Sequence, residues 1–157
     1  MGSGRGYLAA WLMAAAGVIG TASDADAQPD RRVRLGIAVT TVASNPVFAG
    51  LGPTVSWAVS RQAELFGSVT VGRRGAFAVG RGEFGARVLN ATPRVGRSAW
   101  YLFAGLAGVT GPRGGGFLVG GVGVETGNRS RWFGELGFGG GVRFSAGVRA
   151  RLMRRAA

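Results

Sequence analysis

The chain has 157 residues, room for one ordinary domain, with 19 basic against 7 acidic residues and a formal net charge of +12. Every basic residue is Arg, and Cys and His do not occur. That excludes disulfides, Cys/His zinc sites, Ser-His-Asp and Cys-His catalysis, and a P-loop with its Lys. Gly is the commonest residue at 31 copies, with 5 Pro and no collagen period, which suits turns, bends and tight barrel packing better than helices. A hydrophobic share of 46% places the chain among folding sequences, not disordered ones.

The first segment, residues 1–27, reads as a secretory signal peptide. Arg5 precedes an apolar run from about Leu8 to Ile19, and small and polar residues follow, ending in Ala25-Asp26-Ala27. Cleavage is expected after Ala27, with Ser23 as a second site. The apolar run is too short for a comfortable transmembrane helix. The remainder, residues 28–157, is read as one β-barrel domain holding 18 Arg against five acids: Asp30, Glu64, Glu83, Glu125 and Glu135.

Eight runs of period two follow one another. In 31–43, Val33, Leu35, Ile37 and Val39 oppose Arg32, Arg34, Gly36 and Ala38. "SNPVFAGLGP" reads as a loop with two Pro, and 54–60 as the second strand, with Val55, Trp57 and Val59 on one face. In 62–72, Leu65, Val69 and Val71 oppose Glu64, Ser68 and Thr70, and Phe66 breaks the polar side. The fourth run, about 76–90, sets Phe84, Ala86 and Val88 against Glu83, Gly85 and Arg87. The fifth, 99–109, is apolar on both faces with small residues interleaved. The sixth, 116–126, sets Leu118, Val122 and Val124 against Gly121, Gly123 and Glu125. The seventh, 131–139, sets Trp132, Leu136 and Phe138 against Arg131, Glu135 and Gly137. The eighth, 141–152, sets Val142, Phe144, Ala146 and Val148 against Arg143, Ser145, Gly147, Arg149 and Arg151. Such alternation between Gly, Pro and Asn turns is the all-β signature. Eight strands on short turns predict an antiparallel up-and-down meander closed into a barrel.

Periodicity leaves open whether the apolar face turns inward, in a soluble barrel, or outward to lipid. Three features favour lipid. The polar face is crowded with small residues (Gly36, Ser56, Gly85, Gly121, Gly123, Gly137, Ser145, Gly147), as a narrow lumen requires and a wet surface does not. Charges of both signs share that face: Glu64, Glu83, Arg87, Glu125, Arg131, Glu135, Arg143, Arg149 and Arg151 are expected to form a structural lumen network. A turn near Asn128 would set Glu125 about opposite Arg131. A turn near Gly140 would set Glu135 opposite Ser145 and diagonal to Arg143. Finally, Trp100, Tyr101, Trp132 and Phe133 near one rim, and Phe138 and Phe144 near the other, read as interfacial aromatic belts.

The signal segment, the eight runs and the closing "WFGELGFGGGVRFSAGVRARL" resemble the small outer-membrane β-barrel families of Gram-negative bacteria, the OmpA-like and porin-like eight-stranded type. The resemblance covers residues 28–157 at the level of pattern. It implies insertion by the outer-membrane assembly machinery, both termini in the periplasm, and no cofactor. Those families often end on an aromatic residue, and this chain ends "LMRRAA".

The function expected is therefore a monomeric structural barrel of the cell envelope, in contact with outer-membrane lipid and lipopolysaccharide. Its lumen is plugged by side chains, or at most a narrow pore. No catalytic residue, metal or cofactor is expected. Nucleic acid is not an expected partner, because the Arg residues are spread through turns and the polar face without a stripe of stacking aromatics. The alternative is a soluble periplasmic or secreted lipocalin-like barrel that binds a small apolar ligand.

Overall fold

The structure, a computed structural model, describes residues 33–90, 98–111, 114–127 and 130–151. The expected signal segment lies outside the described residues, as do Arg94, Arg97, Arg113 and Arg129 of the turns.

The strands are β1 (Val33–Ala43), β2 (Phe48–Ala58), β3 (Ala63–Arg74), β4 (Phe77–Leu89), β5 (Ala99–Val109), β6 (Gly115–Gly127), β7 (Ser130–Phe138) and β8 (Val142–Arg151). Each pairs antiparallel with its sequence neighbours, and β8 returns to β1, so the sheet is a closed eight-stranded barrel. The closing ladder runs from Arg34↔Arg151 to Ala43↔Val142. Closure removes the free strand edges that an open sheet would present.

The second strand departs from the sequence reading. Residues 48–53, expected as loop, are the first half of β2, and the connection from β1 shrinks to 44–47. Pro53 argued against a strand because it has no N–H for the ladder. The barrel accommodates it by interrupting one ladder. Pro53 lies opposite Ile37 on the β1 side, while the β2–β3 pairing passes from Leu51↔Val71 to Thr54↔Ser68 without Gly52 or Pro53. Gly52 is required at this point, since a Cβ there would collide with the Val69 carbonyl.

Local chemistry sets the turns. Gly75 takes a positive φ of 61° in the two-residue β3–β4 hairpin, which favours Gly there. In the β2–β3 connection the Ala63 amide donates to Ser60 Oγ at 3.0 Å. Gly140, at φ 80°, turns β7 into β8. The strand ends Val33 and Arg151 lie at the end of the barrel that carries the β2–β3, β4–β5 and β6–β7 connections. The other end carries only short turns.

Alternation decides what faces out. Leu35, Ile37, Val39, Leu51, Val69, Val71, Leu102, Leu106, Leu118 and Leu136 all point outward with 48 to 66% of their surface exposed. Among the described strand residues, Arg73, beside the β3–β4 turn, is the one charged side chain in the outward register. Inside, Phe66, Leu89, Tyr101, Phe103, Ala107 and Val119 form one apolar cluster. Val42, Phe48 and Val79 form a second, nearer the short-turn end.

Candidate functional site

The lumen is built from the inward register of all eight strands, and its distinctive content is charge. Arg34, Arg81, Arg87, Arg131, Arg143 and Arg149 are buried there with Glu64, Glu83 and Glu125. The Glu135 side chain, 6% exposed, joins them. A buried charge is costly unless paired and hydrogen-bonded, so the partner of each one matters.

Three groups account for the carboxylates. Glu64 on β3 accepts from Arg34 Nη1 of β1 on one oxygen, at 2.6 Å, and from Arg87 of β4 on the other, with Nε at 2.9 Å and Nη2 at 2.6 Å. Glu83 on β4 is gripped by Arg143 of β8, whose Nε and Nη2 reach the two oxygens at 3.0 and 2.8 Å, while Arg81 Nε adds a 2.7 Å bond. Glu135 on β7 links onward, accepting from Arg143 Nη1 at 2.9 Å, Tyr101 Oη at 2.7 Å and Arg149 Nη2 at 3.3 Å. The third group is Glu125 with Arg131 Nη1. Charge-assisted bonds of this kind, several of them forked, are stronger and more directional than neutral ones.

Aromatic rings fill the space between the ion pairs. Phe66 and Phe103 meet edge to face, with centroids 6.1 Å apart. The Arg87, Arg143 and Arg149 guanidiniums lie over the Tyr101, Phe103 and Phe133 rings at 5.1, 5.2 and 3.5 Å. Stacking of this kind suits Arg, whose planar, weakly hydrated cation can pair along its edge and pack on its face.

The strand register explains these meetings. Glu135 stands opposite Ser145, one step diagonal from Arg143. Glu125 stands opposite Phe133, and Arg131 lies one inward step from Phe133 along β7. Small residues make the room: a Cβ at Gly123 would strike the Tyr101 ring, and one at Gly147 would come within 2.8 Å of Phe133.

Two expected belt residues are corrected. Tyr101 is completely buried and Phe133 is 6% exposed, both within the lumen. Adjacent residues of a strand point to opposite sides, so one member of each doublet, Trp100-Tyr101 and Trp132-Phe133, has to face inward. Trp100, Trp132, Phe138 and Phe144 do face outward, 48 to 65% exposed. Arg151 is a third correction: it is exposed at the end of β8, outside the ion-pair network. Arg34 and Arg81 join the network without being among the expected members, although Arg34 lies on the polar face of the first run and a spacing of two from Glu83 places Arg81 on that residue's face.

Among the described residues no group of His, Cys, Asp and Glu could hold a metal. Each lumen carboxylate is tied to Arg, so no free acid/base pair is offered.

The crystal structure of the N-terminal β-barrel domain of OprF from Pseudomonas aeruginosa is similar to this chain. Its TM-score is 0.50 at 16% identity, and the match covers 74% of this chain and 93% of that one. The likeness is one of fold, a β-barrel, which in this chain is closed, antiparallel and eight-stranded. No protein-family model and no curated protein matches the chain.

Proposed function

We propose that this chain is an outer-membrane β-barrel protein with a structural role in the cell envelope, and that its lumen is closed by its own side chains. One observation carries the proposal: the polarity of the barrel is inverted. Isolated apolar residues on a surface are ordinary, but soluble monomers rarely expose contiguous apolar patches beyond a few hundred Å². Here the outward face of every strand is apolar along most of its length, while the charges are inside and paired. Lipid outside and a polar interior is the arrangement of a membrane barrel.

The closed lumen is supported by Tyr101 and Arg87, whose exposures are 0 and 1%, and by Glu83 and Arg143, which join opposite walls. The lipocalin-like alternative calls for an apolar cavity, whereas this interior is threaded with ion pairs. Export through residues 1–27, insertion by the assembly machinery and a monomeric state belong to the same reading. Arg73 at the short-turn end is placed to meet lipopolysaccharide phosphates if that end faces outward. No catalytic role is proposed.

Cell fractionation tests the location, with heat-modifiable gel migration as the check on a folded barrel. The proposal expects recovery in the outer-membrane fraction and a folded band that shifts on boiling. Recovery in the periplasm without detergent would overturn it. Planar-bilayer recordings test the closed lumen, and steady conductance above background would argue for a pore.

A further inference from the structure

We infer that the terminus-end half of the lumen binds a small inorganic anion, of the size of chloride, between Arg87, Arg131 and Arg149. The inference goes beyond the envelope role and needs only the closed barrel, so it stands or falls separately from the membrane location.

The charges do not balance. The described lumen holds six buried Arg and four Glu, an excess of two positive charges. The excess is local. Toward the short-turn end Arg81 and Arg143 are matched by Glu83 and Glu135. Toward the terminus end Arg34, Arg87, Arg131 and Arg149 have Glu64 and Glu125 for themselves, plus one long bond from Arg149 to Glu135. Uncompensated charge at this depth is expensive, and a counter-ion removes the cost.

The hydrogen bonds do not balance either: besides Ser56 Oγ and Arg81 Nη2, the unsatisfied buried side-chain atoms among the described residues fall on three of these four arginines. Arg87 Nη1, Arg131 Nε and both Nε and Nη1 of Arg149 are buried donors that make no hydrogen bond. All three side chains are at least nine-tenths buried. Buried donors are nearly always satisfied, so four orphans on three neighbouring cations mark an acceptor site.

The geometry brings the three together. Arg131 and Arg149 are direct partners across the β7–β8 ladder, which sets their Cβ atoms about 5 Å apart. Arg149 and Tyr101 share the same oxygen of Glu135, and Arg87 lies over the Tyr101 ring 5.1 Å from its centre. Tyr101, under Arg87, and Phe133, under Arg149, line the part of the lumen that these side chains enter. Monatomic halide suits donors spread over three side chains, because it has no directional lone pairs to align.

Bromide, which replaces chloride and scatters anomalously, provides the direct test. Crystals of the purified barrel grown in sodium bromide should show an anomalous peak in hydrogen-bond range of at least two of the three guanidiniums. No peak in the lumen would overturn the inference. In solution, the temperature of the heat-modifiability transition should rise saturably with sodium chloride and far less with sodium gluconate at equal ionic strength. Arg149→Met should reduce the chloride response at least several-fold. Equal responses to chloride and gluconate, or an unchanged response in the variant, would also overturn it. If Arg149→Met does not fold, the bromide crystals of the wild-type chain decide.

Discussion

Arg143 and Glu83 clasp each other across the barrel: Nε and Nη2 of the arginine on β8 meet the two carboxylate oxygens of the glutamate on β4, at 3.0 and 2.8 Å. The two strands are not neighbours in the sheet, so this fork ties opposite walls. Buried pairs add little over an apolar filling, but losing one partner strands the other. Glu83→Gln should therefore destabilise the barrel by about 3–5 kcal/mol, the usual cost of breaking a buried pair. The companion Glu83→Gln/Arg143→Met should recover only part of that loss, because Arg81 stays without its carboxylate and Glu135 loses one of its donors. Urea unfolding of the barrel in detergent or liposomes measures both.

Tyr101→Phe should cost less, about 1.5–3 kcal/mol, the usual net value of a hydrogen bond to a charged group. The substitution removes the 2.7 Å bond to Glu135 but leaves that carboxylate with Arg143 and Arg149. The same unfolding experiment ranks it against Glu83→Gln, and equal losses would contradict the network as described.

Gly52→Ala and Gly82→Ala should part company. A Cβ at position 52 runs into the Val69 backbone, whereas one at position 82 meets nothing within 4 Å. Gly52→Ala should lower the yield of the folded, heat-modifiable band sharply. Gly82→Ala should leave it unchanged.

Ile37→Arg tests the exterior. Ile37 lies near the middle of β1, pointing outward and 57% exposed. Against hydrocarbon the new charge should cost about 2–4 kcal/mol, as for lipid-facing cations near the midplane of other barrels. On a water-facing surface it would cost almost nothing. Unfolding in bilayers reads the difference.

Most of the fold was legible in the sequence, because alternation is a backbone property that survives any choice of side chain. Val142 to Ala150 could be assigned to one face and Arg143 to Arg149 to the other from spacing alone, and the structure has them so. The ladder interruption that admits Pro53 was not legible, because it depends on how β3 passes β2. Tyr101 and Phe133 were misplaced by weighing residue type over register: two neighbouring aromatics both look suited to an interface, but a pleated strand can send only one of them there. Hairpin register set Glu135 opposite Ser145 as expected, whereas Glu125 stands opposite Phe133 and not Arg131, two residues off the expected register, and Arg131 reaches it diagonally. The grip of Arg143 on Glu83 and of Arg34 on Glu64 is set by the curvature of the closed wall, which no local pattern encodes.

The β1–β8 ladder carries a consequence for how the chain could be rewired. Residues 34 and 151 are paired, so the strand that starts the barrel and the strand that finishes it are as tightly joined as any hairpin. The barrel has no privileged seam. A circular permutant that links residue 151 to residue 33 and opens the chain within 59–62 would keep every ladder and leave its new ends on the same side as the old ones.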